Sequence, residues 1–386
     1  MSVEEILIEL LSEQAYYDKD QPLQYSKLIE RSEKVISPFF QKLGYRKHIL
    51  LGDNETFGKH TACVVYEQGQ TPIAFQGHAD VIFFDKRRWQ FNPYGQIKDG
   101  RVYGRGSSDM KGSIACLIHA LGSVPHKPTI LLTFDEEAGE LTGFNGIRQG
   151  LKFLKEHDLM PEFILNLDGS DLVPIKGCKG MMYCVLEFIG KAAHGSEPDT
   201  GDNAIYKASA AISAIEKFAK DTLAKIKHKE LGNRTLNIGT IRGGDKVNQV
   251  PSWCNVQLES RLLPGEDGNE EAEKIKVVIE QKGLLVGEDY EFNLKTWQPA
   301  YIVRDPNNQY ILAIRKALSN NGLSDELTVE SGFGEINVIG NSGLPVSCLT
   351  LGVGVKAANH ADDEYVPIKQ LGLGGKLYTD FIAAIM

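Results

Sequence analysis

Thr129-Ile130-Leu131-Leu132-Thr133-Phe134-Asp135-Glu136-Glu137 is an apolar, β-branched run that stops abruptly on three carboxylates. A short continuous apolar run of this kind reads as a strand buried on both faces. Three further stretches end in the same way. Ile73-Ala74-Phe75 runs into Gly77-His78-Ala79-Asp80, and Phe163-Ile164-Leu165-Asn166-Leu167 ends at Asp168. Ser347-Cys348-Leu349-Thr350-Leu351 leads through a glycine loop to Asn359-His360. Sites in open α/β sheets are built at the carboxyl ends of the strands. Four such endings on one chain describe an acidic, histidine-containing pocket.

Outward from these strands the pattern alternates. Helical periodicity covers residues 6–11, 25–42, 111–121 and 146–156, with Ile114, Leu117, Ile118 and Leu121 on one stripe of the third. Strand patterns cover 62–67, 72–76, 129–134 and 163–167. Alternation of this kind predicts an α/β fold with a mostly parallel, helix-covered sheet. A different unit follows: strand 181–189, an Ala-rich helix 203–219, strands 235–241 and 254–262, helix 270–281 and strand 289–297. The order β-α-β-β-α-β is that of the ferredoxin-like motif. After Pro299 come a helix (308–320), a short strand (347–351) and a terminal helix (369–385). The expected architecture is a catalytic α/β domain formed by residues 1–179 and 297–386, interrupted by an inserted α+β domain at 180–296.

Bulk composition narrows the class. The chain has 386 residues and a formal net charge of -9, which argues against a nucleic-acid partner. The acidic run 268–276 reads as a solvated helix face. Six scattered cysteines form no CxxC pair, so neither a zinc ribbon nor a disulfide framework is expected. The N-terminus lacks a secretory pattern and no segment reaches membrane-spanning length, so the expectation is a cytoplasmic protein with no membrane partner.

Histidine nitrogen with Asp and Glu oxygen, and no thiolate, suits Zn²⁺, Mn²⁺ or Co²⁺. A candidate bridging ligand, Asp109, lies between the first two strand ends, just before the helix that begins near Lys111. Asp80, two residues beyond His78, is placed to hold the other imidazole nitrogen. Glu136 and Glu137 are adjacent and point in different directions along an extended segment. One can bind metal while the other acts as a base toward water.

Several segments together resemble one family. They are Gly77-His78-Ala79-Asp80-Val81, Trp89, Asp99-Gly100-Arg101-Val102-Tyr103-Gly104-Arg105-Gly106, Ser108-Asp109-Met110-Lys111-Gly112 and Asp135-Glu136-Glu137. Lys191-Ala192-Ala193-His194-Gly195-Ser196, Glu259-Ser260-Arg261-Leu262-Leu263-Pro264-Gly265-Glu266 and Asn359-His360-Ala361-Asp362-Asp363-Glu364-Tyr365 complete the set. The chain resembles the dinuclear zinc metallohydrolases that include acetylornithine deacetylase, succinyl-diaminopimelate desuccinylase, aminoacylase, carboxypeptidase G and the di- and tripeptidases. The resemblance covers nearly the whole chain after about residue 70.

The resemblance implies two divalent ions per subunit, zinc first, with Co or Mn possible. His78 and Asp168 would hold one, Glu137 and His360 the other, and Asp109 would bridge them. Glu136 would be the general base, Asp80 would orient His78, and a histidine matching His194 would reach across a homodimer formed through the inserted domain. Arg261 and Asn248 match positions that grip a substrate carboxylate, and a cis peptide is expected at Asp109–Met110. Two places depart from the usual pattern. The substrate-facing loop reads Gly332-Phe333-Gly334-Glu335-Ile336-Asn337, from which Asn337 is taken as a substrate contact. Asp168 stands where some deacylases have Glu, with Asp171 as a neighbouring alternative. Leu262-Leu263-Pro264-Gly265-Glu266 leans toward the deacylases, and Asp168-Gly169 with the run from His360 to Val366 leans toward the peptidases. The expected function is hydrolysis of an amide in a small carboxylate-bearing substrate, deacylation of an N-acyl amino acid being favoured. A di- or tripeptidase or carboxypeptidase is the alternative. A non-catalytic relic fits less well, because every ligand and base position is filled.

Overall fold

The computed structural model of the chain describes residues 1–385. In chain order its main elements begin with α1 (Val3–Leu11), α2 (Tyr25–Lys42), β1 (Arg46–Asn54), β2 (Gly58–Glu67), β3 (Ile73–His78), α3 (Lys111–Ser123), β4 (Thr129–Thr133), α4 (Asn145–Glu156), β5 (Phe163–Asn166) and β6 (Ile175–Cys178). There follow β7 (Gly180–Ile189), α5 (Ala204–Asp221), β8 (Thr235–Gly243), β9 (Trp253–Leu262), α6 (Gly268–Glu280) and β10 (Tyr290–Gln298). The last are α7 (Gln309–Asn320), α8 (Glu335–Gly340), β11 (Ser347–Thr350) and α9 (Ile368–Ile385). The chain divides into two compact units. One comprises Met1–Gly177, Ile302–Thr328 and Gly334–Met386; the other comprises Cys178–Tyr301 and Val329–Phe333.

A nine-stranded mixed sheet organises the first unit, and most of it runs in the order β1-β2-β4-β3-β5-β11-β6. The pairs β4–β3, β3–β5 and β5–β11 are parallel. The flanking pairs β1–β2, β2–β4 and β11–β6 are antiparallel. Strands β3, β4 and β5 are buried along their whole length, which is why they read as unbroken apolar runs. Strand β1 eluded the sequence pattern because only Gly52 in it is buried. Local chemistry starts the helices. At α1 the Ser2 hydroxyl accepts from the Glu5 N–H while the Glu5 carboxylate accepts from the Ser2 N–H, a capping box that satisfies two free donors.

The second unit is a four-stranded antiparallel sheet in the order β8-β9-β7-β10 with two helices. Its connection β7-α5-β8-β9-α6-β10 is the ferredoxin-like one. Asn203 caps α5 and Asp267 caps α6 through their side-chain oxygens. Ala204, Ala208 and Ala211 let α5 lie close on the sheet, over a core that includes Leu186, Phe188, Val256, Leu258, Ile275 and Ile279. Burying each of the larger side chains contributes about 1.5–3 kcal/mol. Among the described residues no helix is long and apolar enough to cross a membrane. All six cysteines are buried and none is in a disulfide.

Candidate metal centre

The four strand ends picked out in the sequence belong to four adjacent parallel strands, β4, β3, β5 and β11. His78 closes β3, Asp135-Glu136-Glu137 follows β4, Asp168 follows β5, and the chain after β11 leads to His360. One layer down, the same four strands carry a row of polar side chains. Thr350 donates to Asn166 Oδ1 at 2.7 Å and the Asn166 amide donates to Gln76 Oε1 at 2.5 Å. Gln76 in turn donates to Glu335, whose Oε2 also takes the Thr133 hydroxyl at 2.9 Å.

Asp109 splits its two oxygens between two histidines. Oδ1 lies 3.1 Å from His78 Nε2, and Oδ2 lies 3.4 Å from His360 Nε2. His360 Nε2 is also 3.3 Å from Glu137 Oε1. Two triads result, His78–Asp109–Asp168 and Asp109–Glu137–His360, and in each the ligand atoms lie within 4.8 Å of one another. Glu136 is outside both. The donors are all imidazole nitrogens and carboxylate oxygens, which fits a hard or borderline divalent cation. Asp171 lies outside both triads, its carboxylate accepting the Lys356 N–H at 3.2 Å.

The supports of these residues are partly unexpected. His78 Nδ1 lies 3.0 Å from the Asp80 main-chain carbonyl and 3.6 Å from its carboxylate. A carbonyl can only accept, so Nδ1 carries the proton and Nε2 is left as the free donor atom. The Asp80 carboxylate instead accepts the Glu136 and Glu137 N–H groups, at 3.3 and 3.0 Å, and the Tyr25 hydroxyl at 3.3 Å. The Asp109–Met110 peptide is cis and His360 sits at φ 62°. Loops crowd beneath the centre. A Cβ on Gly169 would come within 2.6 Å of the Ser108 carbonyl oxygen, and Gly354, at φ 142°, abuts the same oxygen.

Crowded acids shape the protonation. Burial, with His78 opposing and Glu137 adding to it, raises Glu136 well above the usual carboxylate range. Burial also raises Glu137. Asp109 is buried as well, but hydrogen bonds from His360 and His78 outweigh that and hold it low. Hydrogen bonds to Asp109 and Glu137 push His360 up to about 11. Burial works against the charged form of His78, yet Asp109 and Asp80 raise it well above its ordinary value. The cluster binds protons where a cation would otherwise balance its carboxylates.

Two buried acids here had no role in the sequence reading. Glu335 is pushed up to about 8, chiefly by burial. Glu364 accepts from Arg105, Gly106, Ser108 and Asp109. Burial raises it to about 7 while Arg105 opposes, and four donors aimed at its lone pairs fit the carboxylate form. The sequence signal for Glu364 is an acid four residues after a candidate histidine ligand, within Asn359–Tyr365.

The remaining candidates lie elsewhere. Asn337, expected to face substrate, is fully buried, and its Oδ1 accepts the Gly334 N–H at 3.4 Å. In the second unit His194 is exposed and pairs with Gln249, while the Asn248 carbonyl accepts the Gly195 N–H at 2.9 Å. Arg261, at the far end of β9, is held by Glu259 at 2.9 Å.

Residues 177–285 match the peptidase dimerisation domain of the M20 family. An acetylornithine deacetylase from Vibrio parahaemolyticus is 32% identical over 249 residues, 62% of this chain and 62% of that protein. The chain is similar to the M20 peptidases in this domain and to the acetylornithine deacetylases over about three fifths of its length. Two solved structures share its fold over nearly the whole length. A tripeptidase from Staphylococcus aureus gives a TM-score of 0.72 at 22% identity, covering 99% of this chain and 97% of that one. An M20 family metallo-carboxypeptidase from Sulfolobus solfataricus gives 0.78 at 16%, covering 99% and 98%. The match to the deacetylase spans less than two thirds of that relative's length.

Proposed function

We propose that the protein is a metal-dependent amide hydrolase of small carboxylate-bearing substrates, and within that class a deacylase of N-acyl amino acids. What carries the reading is the pair of triads sharing Asp109, with Glu136 beside them and outside both. Two divalent ions, zinc by preference with cobalt or manganese as substitutes, would polarise the scissile carbonyl and lower the pKa of water there. His78, Asp109 and Asp168 would hold one and Asp109, Glu137 and His360 the other.

Glu136 takes the proton of the attacking water and returns it to the leaving amine. Its burial and the neighbouring Glu137 raise its proton affinity, which suits a base that must hand the proton on. Asp80 fixes Glu136 by holding its N–H and that of Glu137. Arg261 and Asn248 bind the substrate carboxylate, and His194 donates to the developing oxyanion. Asn337 contributes through the Gly334 turn it caps, where a Cβ would stand 3.6 Å from the Asp168 carboxylate.

Spacing inside the second unit favours a homodimer. His194 and Asn248 lie near the Trp253 end of β9 and Arg261 near the other. Eight strand residues separate those ends by about 26 Å, too far for one small substrate to touch both from a single copy. His194 and Asn248 would therefore act on one substrate molecule and Arg261 on another. Strand β8, at the edge of the sheet, is open to pairing. Six buried cysteines, none in a disulfide, fit a reducing cytoplasmic compartment.

Deacylation is preferred over peptidase action because the relative sharing 32% identity is a deacetylase, whereas the peptidase likeness is one of fold. The test is amine release from a panel of N-acetyl amino acids, N-acetylornithine among them, and of free di- and tripeptides, with added Zn²⁺, Co²⁺ or Mn²⁺. Turnover of the acetylated panel, lowered about 10²–10⁴-fold by Glu136→Gln, is the expected result. Peptide turnover alone selects the peptidase reading, and no turnover of either group overturns the proposal.

A further inference from the structure

We propose that Glu364 is a positioning residue for the whole centre, locking the loop of Asp109 to the loop of His360. This rests on the functional reading above. Glu364 is fully buried, and its two oxygens divide the work. Oε1 accepts the Ser108 N–H at 2.8 Å and the Asp109 N–H at 3.0 Å. Oε2 accepts the Gly106 N–H at 3.0 Å and Arg105 Nη1 at 2.7 Å. One carboxylate thus gathers three main-chain donors from the four residues Gly106–Asp109, and its own carbonyl accepts the Gly104 N–H at 2.9 Å.

The second half of the lock lies in Arg105. Its guanidinium is 5.1 Å from the Trp89 ring, and Nη2 donates to the Ala361 carbonyl at 3.0 Å, one residue after His360. The same guanidinium therefore ties Glu364 to the chain beside His360. Asp363 adds a third tie by accepting the Gln90 and Phe91 N–H groups at 2.8 and 3.1 Å. Asp109 and His360 supply the ligand atoms that must keep a fixed separation, yet they lie 251 positions apart, and Glu364 with Arg105 joins their loops directly.

Gln in place of Glu364 keeps the shape but turns one acceptor oxygen into an NH₂, which faces N–H donors and repels them. Loss of such an outer contact costs about 10–100-fold in metal affinity. The test is titration of metal-free protein with Zn²⁺ and Co²⁺, without substrate, for wild type, Glu364→Gln and Asp362→Asn. The last removes the exposed Arg88–Asp362 pair on the same loop and controls for loop charge. Expected are two ions per wild-type chain, at least tenfold weaker binding with shifted cobalt absorption bands in Glu364→Gln, and near wild-type behaviour in Asp362→Asn. Glu364→Asp, which keeps the charge, restores part of the affinity; it also serves as the test variant if Glu364→Gln does not fold, with weakened binding again expected. Wild-type affinity and spectrum in a folded Glu364→Gln or Glu364→Asp overturn the proposal while leaving the functional reading intact. Wild-type protein that binds no ion overturns both.

Discussion

Loading the centre with metal should expel protons, and their number follows from its crowding. At pH 7 an ordinary histidine, with a pKa near 6.5, is about a quarter protonated, so two such residues would release roughly half a proton between them. Here His360 is pushed up to about 11 by Asp109 and Glu137, and His78 is raised well above its ordinary value by Asp109 and Asp80 against the opposing effect of burial. Both therefore carry a proton at pH 7 in the metal-free protein. A ligating imidazole must be neutral, so filling both triads should release about two protons. Glu136 and Glu137, themselves raised, can only add to that number.

The count does not depend on which member of the coupled group holds each proton. By sign, groups that hold protons above their ordinary range compete with the cation, so affinity should rise as pH is raised above 7. Calorimetric titration of metal-free protein with Zn²⁺ in two buffers of different ionisation enthalpy reads the number directly. Release of less than one proton per two ions bound, unchanged between pH 7 and 9, would refute the electrostatic argument.

Two further predictions concern stability. Arg234 is 2% exposed and pairs with Glu271, itself 3% exposed, while Ser260 Oγ accepts from its Nη2 at 3.2 Å. Arg234→Ala leaves that carboxylate buried beside Lys274 alone and should destabilise the ferredoxin-like unit by about 3–5 kcal/mol, read by chemical denaturation; a loss under about 1 kcal/mol would contradict it. Glu335→Gln acts through pH. A carboxyl raised from 4.5 to about 8 on folding contributes its stability fully below 4.5 and loses it as pH climbs to 8. The variant lacks that loss, so thermal unfolding should show it gaining on wild type as pH rises through this window, and parallel profiles would sink the idea.

Much of this protein is legible locally. The unbroken runs of β3, β4 and β5 declare themselves as buried strands because both faces are covered, while α3 declares itself by its apolar stripe and α6 by its stripe and its Asp267 cap. The exposed hairpin strand β1 does not, since a half-polar strand looks like loop. The acidic run 268–276 reads as solvated, yet Glu271 within it is buried against Arg234. That distinction needs a cation 37 positions away, which no window on the sequence contains.

The sequence by itself determined which atoms could meet a cation: imidazole nitrogen and carboxylate oxygen placed just beyond strand ends, with an acid pair of which one member is free. Only the tertiary structure decided that those four strands are neighbours, that Asp109 divides its oxygens between His78 and His360, and that Asp80 grips main-chain N–H groups while its own carbonyl orients the imidazole. It also decided that Glu364, rather than any residue near Asp109 in the chain, holds the Asp109 loop. Donor chemistry is a property of a side chain and is carried by the residue itself. Separation and orientation are properties of packing, fixed by contacts between segments as much as 273 positions apart, and those exist only once the sheet has closed.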